Sequence, residues 1–462
     1  MSDEFNMSVP SLNEALSLMS QGAYPAARAI CQQHLAHRPD DFNARHLLGL
    51  IHFKGGNLIA ATRELSRACQ LDPAPRFKAQ ALNNLALVLQ ARDKREDAAA
   101  ACRNALQLQP QEIAFHLNLL GLLEQLKRWP DIVEHMQSCP VLADQEDARL
   151  CHAVAARQLG QYQTALDILA SLHSSIDAES ERVLNLCLQN NSQVVIADWQ
   201  ATGAPVANLI RLADYVAEEG FAAAATPLYQ AAAKAAPDNL SVRHMLDAAQ
   251  RHCTAEAPSD YVRNLYDTHA EQFESRLQGR LNYNAPQRLI TRLAAILDPE
   301  APIQAADLGC GTGLCGIELH RQLTLTRLDG CDLSMQMLQR AADKEVYTSL
   351  SCTALLDFIP TLQPLELITA TDVLIYTGNL QPVIQAVHGA LKPGGCFAFT
   401  VEHNEEDEPV SLHTSGRYRH SKGHIETLAE RYGFRVQLLE CFPLRLENEV
   451  SIEGLMVILQ RD

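Results

Sequence analysis

The sequence predicts an all-α helical solenoid followed, in the same chain, by an α/β domain built on an open, mostly parallel sheet. Three observations predict this. Prolines recur in the first half, with Pro39, Pro73 and Pro110 lying 34 and 37 residues apart. Glycine then changes in density, from 8 in residues 1–252 to 14 in residues 253–462. From residue 302 onward, strand-like and helix-like segments alternate, the pattern of a parallel sheet covered by helices on both faces. A chain of 462 residues has room for several domains at roughly 100–200 residues each.

Composition bounds the function classes. Hydrophobic residues make up 47% and charged residues 20%, as in folded rather than disordered chains. The net charge is −17, of which −6 (21 basic, 27 acidic) falls before residue 253 and −11 (17 basic, 28 acidic) after it. Such a surplus repels phosphate backbones and anionic lipid, so nucleic acid and membrane are not expected partners. No apolar run reaches the ~20 residues of a membrane span, and the opening MSDEFNMSVP lacks the basic and apolar regions of a signal peptide. A cytoplasmic protein is expected. The 13 cysteines are scattered without a C-x-x-C pair and read as reduced core thiols, with no metal site expected.

In the helical half, Ala27, Ala61 and Ala98 each stand twelve residues before one of the three prolines, and Cys31, Leu65 and Cys102 stand four after those alanines. Leu48-Gly49 precedes Ala61 by one helix and turn. Small residues at Gly49 and Ala61 let successive helices approach closely, and the proline starts the exit from the second. Weaker copies follow at Leu120-Gly121, at Gly160 to Ala165, and at Gly220 to Pro237. This register resembles the tetratricopeptide repeat, whose period is about 34. The resemblance implies a solenoid over 1–252, with a groove for a protein or peptide partner or, alternatively, a surface for self-association. Residues 253–260 read as a linker.

Past the linker, 302–308 reads as a buried strand that ends in Gly309-Cys310-Gly311-Thr312-Gly313. A helix over 314–322, a strand over 327–332 and a helix over 333–343 follow. Further strands are expected at 347–352, 365–371 and 396–402, with helices near 380–391 and 421–432. Ligands of such sheets sit at the carboxyl ends of the strands, where the glycine turn lies. Gly311 to Gly316 matches the dinucleotide pattern G-x-G-x-x-G, and Asp332, closing the second strand, suits ribose hydroxyls of either a nicotinamide or another nucleoside cofactor.

The longer series Asp307, Gly309, Gly311, Gly313 resembles motif I of class I S-adenosylmethionine-dependent methyltransferases. So do Lys392-Pro393-Gly394-Gly395 and the two closing strands expected at 434–442 and 450–460. The 149 residues after Gly313 (462 − 313) suffice for one such domain. Tyr261 to Asp267, Leu281 to Pro286, Ala370 to Tyr376, Ser415 to His420 and Ile452 to Leu455 narrow the likeness to a bacterial group of predicted methyltransferases that carry tetratricopeptide repeats. The resemblance implies a seven-stranded, Rossmann-like sheet over 261–462, led by a helical lid over 261–300 with aromatics Tyr266, Phe273 and Tyr283. S-adenosylmethionine is the implied cofactor, held by Asp307, Gly309, Gly311, Gly313, Asp332, Leu333, Asp357, Asp372 and Tyr283. One departure stands out: Ala354 occupies the first acidic position of the D-L-L-D-F run.

Methyl transfer needs alignment first and a base only when the acceptor must lose a proton. Asp372, Tyr376, His403 and His420 are the candidate catalytic groups, with Arg417 and Tyr418 expected to face the substrate. His403, His413, His420 and His424 lack metal-ligand spacing apart from one helical pair. The expected function is methylation of a protein side chain or a small molecule. A repeat scaffold with a catalytically silent methyltransferase fold is the alternative, and an NAD(P)-dependent oxidoreductase the third reading.

Overall fold

The computed structural model describes residues 11–172, 175–269, 283–406, 408–447 and 450–462. Phe273, with residues 270–282 of the expected lid, lies outside them. The chain divides into two compact units, residues 1–189 and 190–462. No described helix is long and apolar enough to cross a membrane.

The first unit is helical. Its elements include Tyr24–His37, Phe42–Lys54, Leu58–Gln70, Pro75–Ala91, Arg95–Leu108 and Ile113–Gln125, each packed mainly on its sequence neighbours. Asp41 and Asn57 cap two of them by accepting from Ala44 N at 2.9 Å and Ala60 N at 3.1 Å, which satisfies otherwise orphaned amides. The phased positions Ala27, Cys31, Ala61, Leu65, Ala98 and Cys102 are all fully buried. A Cβ on Gly49 would lie 2.6 Å from Leu65 Cγ, so that helix pair closes only over a glycine. Burial pushes the Cys31 and Cys102 thiols up to about 11, which leaves them unreactive near neutral pH. All thirteen cysteines are free.

The second unit starts with helices Ser192–Thr202, Val206–Glu218, Ala222–Ala235 and Leu240–Ala249. The change in composition at 252 therefore does not coincide with the division into compact units. Among the described residues, nine strands form one sheet: β1 Ile303–Leu308, β2 Leu325–Asp332, β3 Ser349–Cys352, β4 Leu365–Ala370, β5 Leu391–His403, β6 Val410–Leu412, β7 Tyr418–His420, β8 Phe434–Glu447 and β9 Val450–Arg461. The order β3-β2-β1-β4-β5 is parallel throughout, while β9 lies antiparallel on β5 and β8 antiparallel on β9.

Seven of these strands were expected, and the hairpin β6–β7 was not. Its strands have three residues each, too short to show alternation among polar neighbours. It pairs with the end of β5 at Glu402↔Arg419 and His403↔His420, beyond the last β4 pair at Ala370↔Phe399. Side chains alternate along β5, sending Phe397, Phe399 and Val401 into one core and Cys396 and Ala398 into the other. Both faces are thus covered, as a doubly wound sheet requires. The strand order reverses between the parallel neighbours β1 and β4, which opens a crevice at their carboxyl ends.

Candidate functional site

The turn after β1 occupies that crevice. Gly309, Gly311 and Gly313 have φ of +62°, +53° and +90°, conformations open to glycine at little cost. A Cβ on Gly309 would stand 2.3 Å from Val373 Cγ2, whereas one on Gly311 meets nothing within 4 Å. The turn thus packs tightly against the β4 loop at Gly309 and leaves its backbone open at Gly311. Asp332 ties this turn to the end of β2: its Oδ2 accepts from Gly311 N at 3.0 Å, and its Oδ1 from Ser334 N at 2.8 Å. Burial raises the Asp332 carboxyl above its ordinary range, and these amides oppose that rise.

Around the turn lies a cavity of about 810 Å³, lined among others by Gly309, Gly311, Thr312, Asp332, Leu333, Ala354, Asp357, Asp372, Tyr376, Tyr283, Arg417 and Arg445. Such a volume suits a cofactor-sized ligand. Thr312 Oγ1 is buried and has no hydrogen-bond partner among the described residues, an uncommon state for a polar atom unless a ligand or water completes it.

The predicted linker forms one wall. Glu256 bridges Thr377, Ala257 N donates to Tyr376 O at 2.9 Å, and Asn379 N donates to Ala255 O at 2.7 Å. Residues 255–257 are therefore a strap hydrogen-bonded to the loop after β4. Its close approach requires Gly378, since a Cβ there would lie 2.5 Å from Thr254 O. Helix Ser259–His269 then brings Tyr266, whose hydroxyl lies 3.2 Å from that of Tyr376, the rings meeting edge to face. Burial raises the Tyr266 and Tyr283 phenols well above their ordinary range, so both stay protonated.

At the far wall, Arg445 from β8 bonds Asp372 at 3.2 Å and also Glu402. Glu402 further faces Arg419 at 3.3 Å and Arg417 at 3.9 Å. Burial alone would raise its carboxyl, yet Arg445, Arg417 and Arg419 outweigh that and hold it below the usual range. Asp372 has φ +57°, a conformation that Asp adopts more readily than most residues.

Several expected site residues lie elsewhere. Asp307 and Gly313 do not line the cavity; the Asp307 carboxylate is buried and accepts from Tyr347 Oη at 2.7 Å and Thr369 Oγ1 at 2.8 Å. Burial pushes it up to about 6 despite those bonds. Its place is under the turn, holding β1, β4 and the residues before β3 together. Tyr418 is also off the cavity, its hydroxyl 2.5 Å from Thr254 Oγ1. His420 is fully buried, with Nε2 2.9 Å from Thr377 O and its ring stacked on His424. His403 follows Glu402 on β5 and faces away from the cavity. Neither histidine is placed to reach an acceptor in the cavity. Arg445, Thr312 and the strap were missed. Arg445 left one trace, a lone charge inside the apolar strand Pro443-Leu444-Arg445-Leu446.

Residues 306–397 match a family model described as a methyltransferase domain. Trans-aconitate 2-methyltransferase of Pseudomonas aeruginosa is 33% identical over 112 residues, which are 24% of this chain and 40% of that protein. The chain thus matches well under half the length of this curated relative. Among solved structures, magnesium protoporphyrin IX methyltransferase from Synechocystis PCC 6803 with bound SAM aligns at 16% identity and a TM-score of 0.34, covering 44% of this chain and 97% of that one. The 1,6-didemethyltoxoflavin-N1-methyltransferase of Burkholderia thailandensis aligns at 14% identity and a TM-score of 0.36, covering 45% and 92%. The region that carries the glycine turn is similar in sequence to methyltransferase domains.

Proposed function

We propose that the second unit binds S-adenosylmethionine and transfers its methyl group to a protein side chain or small-molecule acceptor. The observation that carries this reading is the cradle in which Gly309, Gly311 and the unpartnered Thr312 hydroxyl face a cavity closed by Asp332. The donor set fits the cofactor. Open backbone at Gly311 and the Thr312 hydroxyl suit the amino-acid end, the Asp332 carboxylate suits ribose hydroxyls, and Leu333 and Asp357 flank the place left for adenine. The sulfonium supplies a methyl group and leaves as a neutral thioether.

Within this reading, Asp307 acts by position, fixing the turn through Tyr347 and Thr369. Tyr376, Tyr283 and Tyr266 exclude water, and burial keeps the Tyr283 and Tyr266 phenols protonated, so they wall the cavity without adding charge. Arg417 is suited to orient an acceptor carboxylate through paired hydrogen bonds. Asp372 is held by Arg445, and the Tyr376 hydroxyl lies against that of Tyr266. Alignment of the acceptor accounts for most of the rate, and neither His403 nor His420 enters as a base. The helical unit is proposed as a tetratricopeptide-like surface for a protein or peptide partner, supported by its phased alanines and the Gly49–Leu65 approach.

Calorimetric titration of the full-length protein with S-adenosylmethionine tests the reading. Asp332→Ala is expected to weaken binding by about 10–100-fold, the worth of a lost hydrogen bond to a charged group. A wild type that gives neither heat nor thermal shift favours the silent scaffold, for which Ala354 in the cavity wall is the supporting observation. Heat with nicotinamide nucleotides alone favours the oxidoreductase.

A further inference from the structure

On the face of β5 that carries Phe397, Phe399 and Val401, three side chains of metal-binding type converge from three adjacent strands. Glu402↔Gly454 is the last β5–β9 pair, so His403 is directed at Glu453 in the same register. Cys441 on β8 pairs with Leu455, two residues along β9 from Glu453 and therefore on the same face. His403 Nδ1 lies 3.7 Å from Cys441 Sγ and 3.6 Å from a Glu453 carboxylate oxygen, and one ligand atom from each residue falls within 4.8 Å of the others. None of the three lines the cavity.

A single ring nitrogen facing both a thiol and a carboxylate can serve only one of them by hydrogen bonding. The geometry points to a zinc site, in which His403 Nδ1, Cys441 Sγ and a Glu453 oxygen bind Zn²⁺ and water completes a tetrahedron. At tetrahedral angles, Zn–N, Zn–S and Zn–O bonds of about 2.0–2.3 Å set an N···S edge near about 3.5 Å and an N···O edge near about 3.4 Å. The two observed separations match these within roughly 0.2 Å, and the Cys441–Glu453 edge lies within 4.8 Å. The thiolate and imidazole select zinc over the hard cations magnesium and calcium. Glu453 is 42% exposed and His403 15%, which leaves an entry path. Hydrogen-bonded strands hold all three positions, so little ordering is needed on binding.

A second candidate, His116, His135 and Cys139, is arranged differently. His116 and His135 already share a 2.8 Å hydrogen bond, and the other His116 nitrogen lies 2.9 Å from Pro110 O. Two nitrogens on one zinc sit about 3.3 Å apart at tetrahedral angles, so this pair is closed on itself.

Cobalt and zinc titrations of chelator-treated, reduced full-length protein test the site. The expected result is one Co²⁺ per chain with thiolate-to-cobalt charge-transfer absorption, displaced by Zn²⁺, and a higher Tm with Zn²⁺. Cys441→Ser should abolish that absorption. Glu453→Gln should weaken zinc binding roughly tenfold or more without changing the metal-free Tm, because the side chain is on the rim. Cys139→Ser should change neither. The site is refuted if Glu453→Gln binds zinc as tightly as the wild type, or if the absorption survives Cys441→Ser or vanishes with Cys139→Ser. If Cys441→Ser fails to fold, the Glu453→Gln affinity decides alone.

Discussion

Asp372 and Arg445 meet in the cavity wall with Nη1 and Oδ1 3.2 Å apart, although 73 residues separate them in the chain. The arginine comes from β8 and the aspartate from the loop after β4, so their contact exists only once β5 and β9 have placed both strands. Arg445 is 7% exposed and also bonds Glu402, which makes it the common counter-charge of two carboxylates.

Arg445→Met should therefore cost more than a lost surface pair. Glu402 keeps Arg419 at 3.3 Å and Arg417 at 3.9 Å, so the loss stays below that of a wholly uncompensated buried charge and is expected at about 1–3 kcal/mol. A lower denaturation midpoint of the second unit, at unchanged slope, is the expected outcome. Asp372→Asn should cost far less, since Glu402 still pairs with Arg445 and Asn tolerates a positive φ.

Gly309→Ala should abolish S-adenosylmethionine binding. Its Cβ would overlap Val373, 2.3 Å from Cγ2, in a backbone with φ +62°. Gly311→Ala carries only the strain of its left-handed backbone, about 1–2 kcal/mol, because nothing lies within 4 Å of its Cβ. Its methyl group would instead enter the space proposed for the ligand. Calorimetry should show lost affinity in both variants, with a large drop in Tm only for Gly309→Ala.

His420 should make the second unit acid-sensitive. Burial, and then His424, lowers its pKa from 6.5 to about 3, while Nδ1 is buried without a partner. A histidine depressed on folding contributes stability above its unfolded pKa and loses it as the pH falls toward the folded one. The loss is about 1.4 kcal/mol per pH unit below 6.5. Compared with His420→Gln, the wild type should thus be about 2 kcal/mol less stable at pH 5 than at pH 7. A stability difference that does not change with pH would remove this account.

In the helical unit, Arg157 donates to Glu181 at 2.6 Å, and Asn185 donates to the same oxygen at 3.0 Å. Both charged side chains are nearly inaccessible, at 3% and 1%. Glu181→Gln leaves Arg157 charged and buried, and should lower the stability of that unit by about 3–5 kcal/mol, read from its urea midpoint. Arg157→Met with Glu181→Met should recover part of the loss.

The strands of the central sheet and the glycine turn were legible because their signals are local. Alternating apolar segments and a run such as Gly309 to Gly313 lie within a few residues of one another. The β6–β7 hairpin was not legible, since three-residue strands in a polar stretch carry no period. The residues around 255 read as linker on composition, although they bond to the loop after β4. Among the expected cavity residues, Tyr376, Asp332, Leu333, Asp357, Arg417 and Tyr283 do line it, whereas Asp307, Gly313, Tyr418, His403 and His420 do not. The reasons are local. Hydrogen bonds turn the side chains of Asp307, Tyr418 and His420 elsewhere and strand alternation that of His403, while Gly313 has no side chain and packs against Tyr347.

By itself the sequence determined the helical and α/β halves, the left-handed glycine turn and the acid that closes β2. Those depend on backbone preference and short-range spacing, which a chain carries before it folds. Tertiary structure alone decided that Arg445 would hold Asp372 and Glu402, that the strap would wall the cavity, and that His403 would turn from it toward Cys441 and Glu453. Those relations join residues tens to more than a hundred positions apart, and only the assembled sheet and its loops bring such groups to within 4 Å of one another.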